Sequence, residues 1–183
     1  MAGLRFRMNW DKAVEGVHYL ASIHPGITPY YVAKVFFFAD REHLADWGRP
    51  ICGDSYVAME HGPVPSGIYD LVKRDEFLDD NIVAEFDRRV RVEGRALFAK
   101  ALFNSVSLSQ SDMDYLSAAE RIYAHMSFEA LREHVHRDPA WKDAWDNRLG
   151  RVAPIDMEKM LDANLPDREA LLNEIRDKAA YAR

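Results

Sequence analysis

The stretch Thr28-Pro29-Tyr30-Tyr31-Val32-Ala33-Lys34-Val35-Phe36-Phe37-Phe38-Ala39-Asp40-Arg41-Glu42-His43-Leu44-Ala45-Asp46-Trp47-Gly48 decides the fold. Threonine followed by proline is a cap and first-position start for a helix. Gly48 closes that helix, with Pro50 just beyond it. Val32, Val35, Phe36, Ala39, Leu44 and Trp47 recur at helical spacing and give a broad apolar face. Phe36-Phe37-Phe38 covers about 200° of a helix, so the helix expects neighbours on most sides, and core packing explains the run better than a ligand pocket does. Tyr30 to Ala39 is the most apolar stretch of the chain, yet it holds Lys34 and is about half the length of a membrane span. It reads as the central helix of a soluble domain.

Before it, Asn9 caps a first helix carrying Val14, Val17, Leu20 and Ala21, and His24-Pro25-Gly26 ends it. After it, Asp54 to Met59 reads as a short extended segment ended by the turn Gly62-Pro63-Val64-Pro65. Ser66 then caps a brief helix with Ile68, Leu71 and Val72. Asp79-Asp80-Asn81 reads as a loop. Two strands flank Glu93-Gly94: Val90 and Val92 alternate with arginines before it, and Ala96 to Ala99 follow. Ser109 and Asp112 form a capping box for a further helix, with Leu108 and Met113 placed as its hydrophobic staple. Ser127, Asp138-Pro139, Pro154 and Asp167 each start another helix. The sum is an α+β class, a mainly helical single domain with one small antiparallel hairpin or sheet.

The 183 residues, 48% of them hydrophobic, can bury a core without a disulfide or metal. The 24 Lys+Arg against 30 Asp+Glu give a net charge of -6. No third of the chain is basic, whereas nucleic-acid binders carry a basic stripe. The one local cluster, Arg88-Arg89-Val90-Arg91 with Arg95 beyond it, is interleaved with Glu85, Asp87 and Glu93 and reads as a solvated strand face. A single cysteine, Cys52, forbids an internal disulfide and fits a reducing compartment. The N-terminus shows no signal-peptide pattern, so the expected location is the cytoplasm, with no membrane partner.

A search for chemistry returns little. Gly53-Asp54-Ser55 is similar to the nucleophile block of an esterase family, but no Asp-x-x-His follows to supply the base. Cys52 has His61 nearby in sequence and Arg49 behind it, yet it reads as a small buried thiol. His134 and His136 lie two apart, about 200° around a helix, and cannot share an ion there. Cys52 and His61 lack further ligands. The expected catalytic residues, metal ligands and cofactors are therefore none.

Several segments together resemble the Panacea domain, the SocA-like antitoxin family. Lys34 to Asp40, His43-Leu44, Gly48-Arg49-Pro50-Ile51, and Met59-Glu60-His61-Gly62-Pro63-Val64-Pro65-Ser66 with Ile68-Tyr69 carry the first half. Leu108-Ser109-x-x-Asp112, then Tyr123, Ser127 and Leu131, then His136-Arg137-Asp138-Pro139-Ala140-Trp141 and Pro154-Ile155, carry the second. The chain departs from the family pattern where His61 replaces the usual Tyr, Met59 a frequent Trp, and Val135 a frequent Ser.

The resemblance covers residues 10 to 165 and implies a domain of residues 1–165 with residues 166–183 as its helical extension. It implies an antitoxin that binds and neutralises a cognate protein toxin, with no enzymatic activity. In one branch it implies an adaptor that delivers the toxin to the ClpXP protease. The positions it marks as motif or partner-binding are His61, Gly62, Pro63, Val64, Tyr69, His136 and Trp141. The residues themselves allow a blander part for several of these. The Gly62–Pro65 turn is stiff and short of donors, which suits a structural turn. Trp141 suits a core anchor, and His136 a cap or a bond to the Pro139 turn. The charged tail, Arg168 to Arg183, offers a surface for partner or protease contact. The rival functions are a small hydrolase using Ser55 or Cys52, and a DNA-binding regulator of its own operon. The acidic balance speaks against the second and favours a basic protein partner.

Overall fold

A computed structural model describes residues 4–181. They form helices α1 (Trp10–Ile23), α2 (Pro29–Trp47), α3 (Ser66–Lys73), α4 (Asp80–Arg89), α5 (Gln110–Tyr123), α6 (Phe128–His136), α7 (Pro139–Asp146) and α8 (Arg168–Tyr181). Strands β1 (Tyr56–Met59), β2 (Gly62–Pro65), β3 (Val90–Glu93), β4 (Ala96–Ala99) and β5 (Ala153–Pro154) make two small antiparallel sheets, in the orders β2-β1-β5 and β3-β4. The mainly helical α+β reading holds. No described helix is long and apolar enough to cross a membrane.

Helix α2 is the axis of the molecule. Its start at Thr28-Pro29 and its end at Gly48, which stands at φ 67°, fall where the sequence places them. Val35, Phe36, Phe37, Ala39 and Leu44 are almost fully buried, so the triple phenylalanine is core on all sides. Helix α5 packs along α2 most extensively, and β2 crosses it next. Helix α1 crosses near Phe36, where Gly16 leaves room for the ring. Glu15 of α1, buried, accepts the N–H groups of Val106, Ser107 and Leu108 and so fixes the loop that leads into α5. The capping box of Ser109 and Asp112 then starts that helix. Helix α8 buries Leu172, Ile175 and Ala179.

Four local readings change. Gly62-Pro63-Val64-Pro65 is a strand, paired from Tyr56↔Pro65 to Met59↔Gly62, and its prolines are tolerated because β2 is an edge strand. Pro154 opens no helix: it pairs with Val57 in β5, and Asp156 then caps a single 3₁₀ turn at Met157–Met160. Asp79-Asp80-Asn81 is the start of α4, with the Asp79 carboxylate accepting Asn81 N–H at 2.8 Å. Helix α4 buries Phe86 fully, with Ile82 partly buried one turn before it, so its apolar face is short.

Ser66 is likewise not the cap of α3. The carboxylate of Asp54 reaches across and accepts Gly67 N–H and Ile68 N–H, both at 2.9 Å, besides its neighbour Ser55 N–H at 2.7 Å. The hairpin at Glu93-Gly94 forms as read, with Val90↔Ala99 through Glu93↔Ala96 in register.

Candidate partner-binding site

Six of the seven marked positions, all but Tyr69, converge on the β1–β2 hairpin, and the geometry begins with Lys34. Its position on α2 buries the side chain almost completely, and Nζ donates to the Pro63 carbonyl at 2.9 Å. The ammonium also lies 4.7 Å from the centroid of the Tyr30 ring. Burial pulls the amine down to about 7, from an ordinary 10.5. Gly62 sits at φ 108°, and a Cβ there would stand 2.6 Å from Val135 Cγ2 and 3.0 Å from Lys34 Cε. Any side chain at position 62 collides with the two groups that hold the hairpin, so glycine is required twice over, by backbone and by space.

Helices α6 and α7 hold the same hairpin from outside. His136, the last residue of α6, donates from Nε2 to the Glu60 carbonyl at 2.9 Å, and Trp141 of α7 donates from Nε1 to the Met59 carbonyl at 3.0 Å. The two rings stack at 4.2 Å with 3° between their planes, and Trp145 stacks on Trp141 at 5.4 Å. Burial holds the imidazole of His136 below its ordinary range, against the bond to Glu60. The α6–α7 junction is fixed by Asp138, whose carboxylate accepts the N–H groups of Ala140 and Trp141 and pairs with Arg41 of α2. The spacing His136-x-x-Pro139-x-Trp141 has a physical reason: one helix end and one helix start, stacked, reach two successive carbonyls of one turn.

Of the seven marked positions, Gly62, Pro63, Val64 and Trp141 are buried, and His136 and Tyr69 are half-buried. His61 is exposed at the hairpin tip, with its ring edge-on to Phe128 at 5.5 Å. Phe128 is 40% exposed and meets the Tyr30 ring at 4.8 Å. The Tyr30 hydroxyl is covered and finds no partner among the described residues, and burial pushes it up to about 12. Tyr69 faces another neighbour, with the Lys73 ammonium 4.2 Å from its ring centroid. The buried members form the base, while His61 and Phe128 form what that base displays.

The places where the rival functions would act are built differently. Ser55 lines a cleft of about 700 Å³ with Phe6, Trp10, Tyr56 and Ile155, and no histidine or lysine lines it among the described residues. Asp54 beside it is occupied with three backbone N–H groups. Cys52 is buried, and burial together with the Asp40 and Asp54 carboxylates pushes its thiol well up, away from the nucleophilic thiolate. The arginine run is split, because Arg88 and Arg89 close α4 and Arg91 lies in β3. Each is paired, Arg88 and Arg89 with Glu85, Arg91 with Glu93. The run is thus half helix end rather than a strand face, and its charges are already answered.

A second buried polar group lies further along α2. Asp40 accepts Ile51 N–H and the Tyr56 hydroxyl, each at 2.7 Å, and burial raises its carboxyl to about 6. His43 bridges from Nδ1 to the Arg49 carbonyl at 2.8 Å and from Nε2 to Asp112 at 3.2 Å. Asp112 also holds Lys12 at 2.5 Å, Arg49 at 3.1 Å and Ser109 N–H at 2.9 Å. Burial alone would raise Asp112; the bonds from His43, Lys12 and Ser109 and the charge of Arg49 hold it well below the usual carboxylate range. The sequence shows Ser109 and Asp112 as a cap, but not that the same carboxylate gathers Lys12, His43 and Arg49, since those contacts are long-range.

The helical domain thus presents an aromatic hairpin tip, His61 with Phe128, on a buried base. The family model described as "Antitoxin SocA-like, Panacea domain" matches residues 32–142. The chain belongs to that family. No curated protein and no solved structure matches it. The matched span runs from α2 to the start of α7, which is the whole of the hairpin and its clamp.

Proposed function

We propose that this chain is the antitoxin of a toxin–antitoxin pair and neutralises a cognate protein toxin by binding it directly through the face around His61 and Phe128. The observation that carries the reading is the family match at residues 32–142, within which Lys34, His136 and Trp141 all hold one hairpin. The exposed tip supports it: His61, Phe128 and Tyr30 form a contiguous aromatic surface on a buried, hydrogen-bonded base, the composition that interface centres favour. The net charge of -6, with Glu60 and Glu129 exposed beside the tip, favours a basic toxin. A domain of residues 1–165 with residues 166–183 as its extension, acting in the cytoplasm without cofactor, nucleic acid or membrane, is the frame of this proposal. Delivery to the ClpXP protease is its further form.

Co-expression with the protein encoded in the neighbouring gene tests it. Growth is restored by the wild-type chain and by Ser55→Ala and Cys52→Ala. A His61→Asp, Phe128→Asp double variant keeps its melting temperature but binds the toxin at least about tenfold more weakly. Absence of a complex between the two purified proteins sinks the reading. Toxin half-life, followed with the protease present and removed, separates delivery from sequestration. A half-life shortened by this chain only when the protease is present supports the adaptor, and an unchanged one leaves direct binding alone.

A further inference from the structure

Outside the hairpin, His24 meets two side chains, Glu120 and His125, from which the sequence separates it by 96 residues or more. His24 stands at the C-cap of α1, Glu120 in the last turn of α5, and His125 in the turn just after that helix. Nδ1 of His24 lies 2.7 Å from Oε1 of Glu120, and Nε2 of His125 lies 3.1 Å from the same oxygen. The two imidazole rings are 5.1 Å apart, and all three ligand atoms lie within 4.8 Å of one another. The Glu120 side chain is 8% exposed, yet no lysine or arginine pairs with it among the described residues. A buried carboxylate that faces two imidazoles and no fixed cation leaves a negative charge for something else to answer.

We propose that His24, Glu120 and His125 form a divalent-metal site, of the chemistry that zinc prefers. Two imidazoles and one carboxylate are a recurrent three-ligand zinc set. Zinc bonds of about 2.0–2.1 Å put tetrahedral ligand atoms roughly 3.4 Å apart. The two edges at Glu120 reach that value by opening about 0.7 Å and about 0.3 Å, and the edge between the two imidazole nitrogens lies within 4.8 Å. His125 is 63% exposed, so the fourth position opens to solvent. The backbone that carries His24 is already anchored, because Ile27 N–H donates to its carbonyl and Gly26 N–H to that of Leu97. The ion would staple the α1 end to the α5 end, and its binding free energy would add to folding. The proposal stands on this geometry and not on the antitoxin reading.

The full chain, stripped with a chelator, is titrated with ZnCl2 by calorimetry, and its melting temperature is followed in parallel. One equivalent of zinc binds and raises the melting temperature, and Co2+ in its place gives the visible band of a low-coordinate site. His125→Ala removes an exposed ligand without touching the core, and Glu120→Gln keeps the shape. Each weakens binding by at least about tenfold, since even an outer-shell partner is worth that much. His134→Ala, an exposed histidine elsewhere, leaves binding unchanged. Absence of stoichiometric binding in the wild type, or equal affinity in His125→Ala, overturns the site and leaves an ion-pair cluster.

Discussion

Helix α2 carries two buried polar stations, and they solve the same problem in opposite ways. Lys34, near the start, faces one carbonyl and an aromatic ring and has no carboxylate beside it. Asp40 and His43, nearer the end, each have polar partners: Asp40 accepts from Ile51 and Tyr56, and His43 joins Lys12, Arg49 and Ser109 around Asp112. Desolvation wins at Lys34 and pulls the amine towards its neutral form. Around Asp112 the surrounding hydrogen bonds and charges win, and the carboxylate stays ionised. Asp40, with hydrogen bonds from Ile51 and Tyr56, still has its carboxyl raised by burial to about 6, so burial is outweighed only where cations and hydrogen bonds converge together, as at Asp112.

The sharpest way to break the comparison is to empty the second station. Asp112→Ala strands Lys12, His43 and Arg49 around an apolar methyl and removes half of the α5 capping box. Loss of one partner of a buried charged group costs about 3–5 kcal/mol, and the lost cap adds to it. Urea unfolding should show this loss without a change in slope. A cost below about 1 kcal/mol would mean that the network is solvated and the contrast with Lys34 false.

The two stations also differ in how far the sequence exposes them. Helix α2 was legible because its start, stop and apolar face are local signals, as were the Ser109 box and the Glu93-Gly94 hairpin. The β2 strand was not, since a Gly-Pro-Val-Pro run reads as a turn by every local rule, and only the edge position of the strand makes it tolerable. Helix α4 carries only a short apolar face, Ile82 with Phe86, of which Phe86 alone is fully buried, and it begins in an Asp-Asp-Asn run that reads as a loop. The motif positions were visible by resemblance, but not their division into base and displayed tip. Trp141 and His136 meet Met59 and Glu60 across more than seventy residues of chain. The His24, Glu120 and His125 group was missed for the same reason: histidine spacing along the chain tests only ligands on one element.

The Lys34 station can be sharpened through pH. The folded chain binds the Lys34 proton with a pKa of about 7 and the unfolded chain near 10.5. Below about pH 7 both states are protonated and the cost of charging the buried amine is present in full. As pH rises from about 7 to 10.5, the unfolded state holds the proton that the folded state has released, so that cost falls and stability rises. Lys34→Met lacks this gain. Relative to that variant, the wild type should become more stable by about 2 kcal/mol between about pH 7 and pH 9. The readout is the difference in unfolding free energy at the two pH values, which cancels the other titrating groups. A flat difference would show that Lys34 stays charged in the core and that the hairpin carbonyl suffices to hold it.

The smallest effect separates two parts that Trp141 could play on the side of Lys34. If Trp141 is a clamp, its indole N–H matters because it satisfies the Met59 carbonyl, and its ring matters because His136 and Trp145 stack on it. Trp141→Phe keeps an aromatic ring and removes the donor, at a cost of about 1 kcal/mol, the usual worth of one hydrogen bond. The Asp112 side should be indifferent to it, because the two stations share α2 but, among the described residues, no hydrogen bond or ion pair joins their side chains. Toxin affinity should then fall by no more than the loss of folded protein explains, since Trp141 is almost fully buried and offers the partner no surface. A drop in affinity well beyond the drop in stability, measured on the same preparation, would move Trp141 from the base of the hairpin to its displayed face, and would require the α6–α7 junction to open when the toxin binds.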